Sequence, residues 1–209
     1  MKKELLCLTL TTIVFANFSF SQPSSNCPPE GRGKLKSNGS FSALTPKEQA
    51  LNVEKNRRSI PKAADYDNNV NLASMLNSND SPTMFNSKKA AHITGYIFKA
   101  NPEKQESCNC NSNDPNMWDT HIYISDTPIT TSTTIADCVV IEVTPFTRTL
   151  HPDWTTEYIN QHFKGKKVTV SGWLLHDFKH TNVSYDTNPT ANTLERHTAW
   201  EIHPIVDMK

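Results

Sequence analysis

Between Lys88 and Lys209, five segments alternate apolar and polar residues, and one helical pattern separates the third from the fourth. Alternation with period two puts successive side chains on opposite faces, so each segment reads as a strand with one face turned inward. The first runs from Ala91 to Ala100, with Ile93, Gly95 and Ile97 on one face and Thr94, Tyr96 and Phe98 on the other. Gly95 permits the sharp bend that the first strand of a small barrel needs. The second, Trp118 to Ser125, sets Ile122 and Ile124 against His121 and Tyr123. The third, Cys138 to Thr144, sets Val139, Ile141 and Val143 against Val140, Glu142 and Thr144, and Pro145 closes it. The fourth, Lys167 to Leu175, turns Val168, Val170, Gly172 and Leu174 inward and Thr169, Ser171 and Trp173 outward. The fifth, His197 to Val206, sets Thr198, Trp200 and Ile202 against Ala199, Glu201 and His203.

The helical pattern opens at Asp153, a good N-cap, and carries Trp154, Tyr158, Ile159 and Phe163 as an apolar stripe. Lys164-Gly165 ends it. Three strands, a helix and two strands is the chain order of a five-stranded Greek-key barrel, the OB-fold. The expected class is therefore mainly β: a five-stranded OB-fold Greek-key barrel with one helix between strands three and four, preceded by a short helical N-terminal segment. The stretch Gly165-Lys166-Lys167-Val168-Thr169-Val170-Ser171-Gly172-Trp173-Leu174 resembles the fourth strand of many bacterial OB-fold domains. Arg196-His197-Thr198-Ala199-Trp200-Glu201-Ile202-His203-Pro204 resembles the closing strand of secreted bacterial OB-fold proteins of unestablished function. The resemblance spans residues 88–209. It implies the fold and brings no catalytic residues with it.

Upstream, residues 1–21 read as a signal peptide. Lys2 and Lys3 precede an apolar run from Leu5 to Phe15 that is too short to span a bilayer, and Ser19 and Ser21 suit cleavage before Gln22. Export to the periplasm or the cell exterior is expected, and no later stretch has the length of a membrane span. Residues 22–44, rich in Pro, Ser, Gly and Asn, read as a flexible tether. Residues 45–87 read as a helix and an extended segment packing on the barrel. Thr45-Pro46-Lys47-Glu48 is a capping box, the helix runs to about Arg58, and Pro61 stops it. Lys55, Arg57 and Arg58 are expected on its solvated face.

Lys and Arg together number 21, as do Asp and Glu, and from Lys88 onward acidic residues outnumber basic ones. A nucleic-acid partner would call for a basic stripe, which is missing. A small molecule, a cationic ligand or a protein partner remains. Four cysteines follow the leader: Cys27, Cys108, Cys110 and Cys138. In an oxidising compartment they are expected to pair, Cys108 with Cys110, or either with Cys27 or Cys138. The alternative is a C-x-C thiolate pair chelating a metal.

In the barrel topology the loops 101–117 and 176–196 project over one ligand-binding face. The first carries Cys108 and Cys110 and leads to Asp119 and His121; the second carries Asp177 and His180. Asp119, His121, Cys108, Cys110 and His180 are thus candidate ligands of a divalent metal, which is compatible with these residues although no cofactor is specified. Asp119, His121, Glu142, His197, Glu201 and His203 line the outward faces of adjacent strands. Cross-strand His–Glu pairing on a solvated sheet is the expected reading, with a cation site or acid–base pair as the alternative. His121, lying outside, is expected to tolerate truncation within about 1 kcal/mol. The outward aromatics either stack on a ligand or are covered by the preceding segment. The candidate ligand-binding set is Tyr96, His121, Tyr123, Glu142, Trp173 and Asp177. The leading expectation is an exported binding module. The alternatives are a metal-dependent phosphoesterase using Asp119, His121 and Glu142, and an interaction protein whose loop is stapled by a disulfide.

Overall fold

The computed structural model of the chain describes residues 27–209, so the expected signal peptide lies outside the described residues. Strands β1 (Ala90–Pro102), β2 (Thr120–Ser125), β3 (Val139–Val143), β4 (Lys167–His176) and β5 (Trp200–Met208) form a closed barrel in the order β1-β2-β3-β5-β4. Only β3 and β5 pair in parallel; the other four pairings are antiparallel. The order is consistent with an OB-like fold.

The long first strand serves two neighbours. Its first half, Ala90 to Tyr96, pairs with β4, and its second half, Tyr96 to Pro102, pairs with β2. Gly95 sits at the changeover, where a Cβ would approach the Ser125 carbonyl oxygen and Leu72 Cδ2 to 2.5 Å. That crowding, rather than a special backbone angle, demands glycine there.

The inward sets expected from alternation do fill the barrel. Ile93, Ile97, Ile122, Ile124, Ile141, Val170, Leu174 and Ile202 are fully or almost fully buried in one core. Trp200 joins them, its ring edge-on to Phe85 and its indole nitrogen donating to the Ser81 carbonyl at 2.8 Å. Helix α1 (Pro46–Lys55) has the expected capping box, with Thr45 and Glu48 satisfying each other's backbone donors. Helix α2 (Leu72–Leu76) adds Leu72 and Met75 to the core.

Between β3 and β4 the chain forms two helices where one was expected. Pro145 ends the strand and also starts α3 (Pro145–Leu150), because a proline at the first helical position costs no hydrogen bond. The next helix, α4 (Thr156–His162), is capped by Thr155 rather than Asp153. It is fastened to β1 by Asn160, whose amide both accepts from the Ala100 N–H and donates to its carbonyl.

Cys27 is bonded to Cys110 with an S–S distance of 2.04 Å, and Cys108 and Cys138 are free and buried. The Arg32 N–H donates to the Ser107 carbonyl beside this bond. Among the described residues no helix is long and apolar enough to cross a membrane.

Replacing Trp200 with alanine removes a side chain only 1% exposed from the centre of the core. The loss expected in chemical denaturation is about 3–5 kcal/mol.

Candidate functional site

The outward face of β2, β3 and β5 is not solvated. Asp119, His121, Glu142, Glu201 and His203 have exposures of 5% or less, and Glu142, Glu201 and His203 have none. The expectation of an open face with His121 at the surface is therefore overturned. The cause is a lid of three parts: α1, the loop leading into β2, and the loop following β4.

Lys55 holds that lid together. Its ammonium lies 2.7 Å from Glu106 of the first loop and 2.8 Å from Asp177 of the second. The two loops do meet over one face, but through a lysine expected in solvent and found 3% exposed. Burial alone would lower the Lys55 ammonium, but Asp177 and then Glu106 outweigh it and keep it well above its ordinary value. Burial likewise opposes ionisation of Asp177, and Lys55 with His180 overcomes it, holding the carboxyl well below the usual range.

Beneath the lid runs a continuous chain of charged groups. Glu103 lies 3.2 Å from His121 Nδ1, and His121 Nε2 lies 2.8 Å from Glu142 Oε1. The other Glu142 oxygen is 3.1 Å from His203 Nδ1, which is also 3.2 Å from Glu201 Oε1. Glu201 in turn pairs with the buried Arg196 guanidinium. On its far side, His203 Nε2 faces Asp119 Oδ2 at 3.7 Å. Burial disfavours charge on both imidazoles, yet Glu142 raises His121 to about 9 and lifts His203 well above its usual value. The reverse holds for Glu142, which the two histidines keep well below the carboxylate range despite burial. Asp119 is different: burial dominates and pushes it up to about 7, with His203 offsetting part of the rise.

Three groups of metal-capable side chains arise here, each offering donor atoms within 4.8 Å of one another: Asp119, Glu142 and His203; Glu106, Cys108 and Asp119; Glu106, Asp177 and His180. Asp119 Oδ1, both Glu142 oxygens, and Nε2 of His121 and of His203 are buried without a well-aligned hydrogen bond.

The other expected site residues lie elsewhere or play other parts. Cys110 is committed to Cys27, so the C-x-C pair cannot present two thiolates. Burial pushes the remaining Cys108 thiol well up, which keeps it protonated and unreactive. Trp173 is covered: its indole donates to the Ser59 carbonyl at 2.7 Å, and the Arg57 guanidinium sits 4.7 Å above the ring. Tyr123 packs with Cys138 and Val140 in a separate small cluster, and Tyr96 lies half-buried beneath Lys167. None of these three aromatics joins the charged chain. His180 does, pairing with Glu195 at 3.0 Å and lying 6.5 Å, ring to ring, from His121. His197 turns away to Asp186.

Beside the charged chain, a cleft of about 660 Å³ opens between α1, the first loop and the start of α3. Pro28, Val53, Met117 and Phe146 make it largely apolar, and Cys108 and Asn109 line it where it meets the buried groups. Lys55, Glu106 and Arg196 are the members of this buried network that the sequence alone did not point to. For Lys55 a signal existed: it lies four residues after Leu51, on the one face of α1 that is buried.

Changing Lys55 to methionine leaves Glu106 and Asp177 facing each other without the ammonium they share, and a loss of about 3–5 kcal/mol is expected in denaturant unfolding. His121 is expected to titrate near 9 by histidine NMR. Because its folded value lies above the unfolded one, its contribution to stability is complete below about 6.5. That contribution is lost as pH rises through about 9.

Comparison with protein-family models finds no matching family, and comparison with curated proteins finds no matching relative, so the function has to be read from the geometry of these residues.

Proposed function

We propose that the chain is an exported OB-fold binding module that takes a small cationic ligand over the β2–β3 face, beneath the loops 101–117 and 176–196. One observation carries this reading: the covered face gathers five carboxylates against two permanent cations, and the remainder is answered by protons on His121 and His203, which an entering cation can displace. Glu106, Asp119, Glu142, Asp177 and Glu201 all turn into it. Lys55 and Arg196 answer them. Arg148 stands near Asp119, but its guanidinium donates to Thr120 and to the carbonyls of Asn116, Trp118 and Val143. A cation entering this face gains the attraction of carboxylates in a low-dielectric setting, where charge pairs are strongest.

The OB-fold part of the reading is supported by the strand order and by helices falling between β3 and β4. Export is supported by the leader pattern and by a disulfide, which persists in oxidising compartments. The phosphoesterase alternative draws on the same Asp119, His121 and Glu142. Their enclosure favours holding a small ion over turning over an ester, because a substrate needs an open approach to the reacting groups. The stapled loop of the third alternative fits within the binding reading, since it anchors part of the lid.

The test is a thermal-unfolding panel on the purified chain with Ca²⁺, Mg²⁺, Mn²⁺, Zn²⁺ and spermidine. At a hundred times its dissociation constant, a cation that binds only the folded state adds about 2.7 kcal/mol of stability. Stabilisation by at least one of these, lost in Glu142→Gln, is the expected result. A chain stabilised by none of them, or by anions alone, does not have this function.

A further inference from the structure

We propose that Asp119, Glu142 and His203 form a centre for one divalent transition-metal ion, with zinc the best match. This rests on the cation-binding reading above and narrows it to one ion class and one set of ligands.

The three residues are set by adjacent parts of the barrel. Asp119 immediately precedes β2, Glu142 lies on β3 and His203 on β5, and β3 neighbours both of the others. Glu142 and His203, held by neighbouring strands, keep their relative positions better than ligands on loops would. One donor atom from each already lies within 4.8 Å of the others. Zinc bonds to nitrogen and oxygen are about 2.0–2.2 Å long, so tetrahedral donor atoms stand about 3.3–3.6 Å apart. The 3.7 Å between His203 Nε2 and Asp119 Oδ2 is too long for a good hydrogen bond and close to the separation of two atoms sharing an ion.

The surroundings of His203 point the same way. Its Nδ1 is hydrogen-bonded to Glu201, which Arg196 holds in place. A carboxylate on one ring nitrogen orients the imidazole and frees the other nitrogen for a metal, an arrangement common around metal-bound histidines. His203 Nε2 is the nitrogen aimed at Asp119, and an ion bound there displaces its proton. Glu142 Oε2 also approaches Nδ1, so Glu142 must shift slightly to reach the ion. That shift exchanges its 3.1 Å contact with His203 Nδ1 for the ion, while Glu201 keeps Nδ1 partnered. Asp119 Oδ1 and His203 Nε2 are without a well-aligned hydrogen bond, although their residues are 2% and 0% exposed. Buried polar atoms left in that state are costly, and a shared cation supplies what each lacks.

Donor chemistry selects the ion. One imidazole and two carboxylates make a mixed nitrogen and oxygen set, which suits zinc or manganese. Calcium asks for six or more oxygens. Between zinc and manganese, zinc binds such a site more tightly.

The test titrates Zn²⁺ into the chelator-treated chain, with native mass spectrometry for stoichiometry and a competing chromophoric chelator for affinity. One Zn²⁺ per chain is expected, with affinity reduced by about 100-fold or more in His203→Gln and about 10–100-fold in Glu201→Gln, which only positions His203. His162→Gln, on the exposed side of α4, leaves affinity unchanged. Because buried substitutions can prevent folding, the wild-type chain is also followed by ¹⁵N histidine NMR. Zinc then moves His203 Nε2 to a metal-bound shift. If the chain takes up no Zn²⁺ but is stabilised by spermidine, the metal centre is wrong and the cation-binding reading survives. If none of the panel's cations binds, both are wrong. If zinc moves His180 and not His203, the ion sits in the Glu106–Asp177–His180 group and this assignment is overturned.

Discussion

The burial of one ammonium governs the upper half of this molecule. Lys55 reaches from α1 into a space where Glu106 and Asp177 arrive from opposite loops. Each of those carboxylates would be strongly disfavoured without a partner, and Lys55 is the cation they share, with His180 of the second loop adding to it at Asp177. The helix is therefore more than a decoration on a finished barrel. It brings the counter-charge that lets two long connections settle over the same sheet face, and everything beneath them becomes enclosed as a result.

That enclosure gives the barrel two interiors. Pleating sends Ile122, Ile124, Ile141 and Ile202 into an apolar centre and sends His121, Glu142, Glu201 and His203 to the opposite side of the same strands. The first interior is held by exclusion of water and close packing of apolar side chains. The second is held by matched charges and depends on which atom faces which. Neighbouring strands β2, β3 and β5 form the wall between them, so the positions of the charged groups inherit the rigidity of the core.

The first interior could be read from the chain because alternation is local: a window of a few residues reveals which side chains share a face. The row of Asp119, His121, Glu142 and His203 was legible for the same reason. Its burial was not, since the covering groups lie far away in sequence. Lys55 and Glu106 are separated by 51 residues, Trp173 and the Ser59 carbonyl that caps it by 114, and Cys27 and Cys110 by 83. Period-two patterns carry no information about such partners. The missed helix has a different origin. In the sequence Pro145 reads as a terminator, and proline both ends strands and opens helices.

The disulfide gives the lid a second fastening of another kind. Lys55 grips through charge, so acid strong enough to neutralise Glu106 and Asp177 would release it. Cys27–Cys110 grips through a covalent bond that acid leaves intact and a thiol reductant opens. The two links therefore yield to different conditions, one to acid and the other to a reductant.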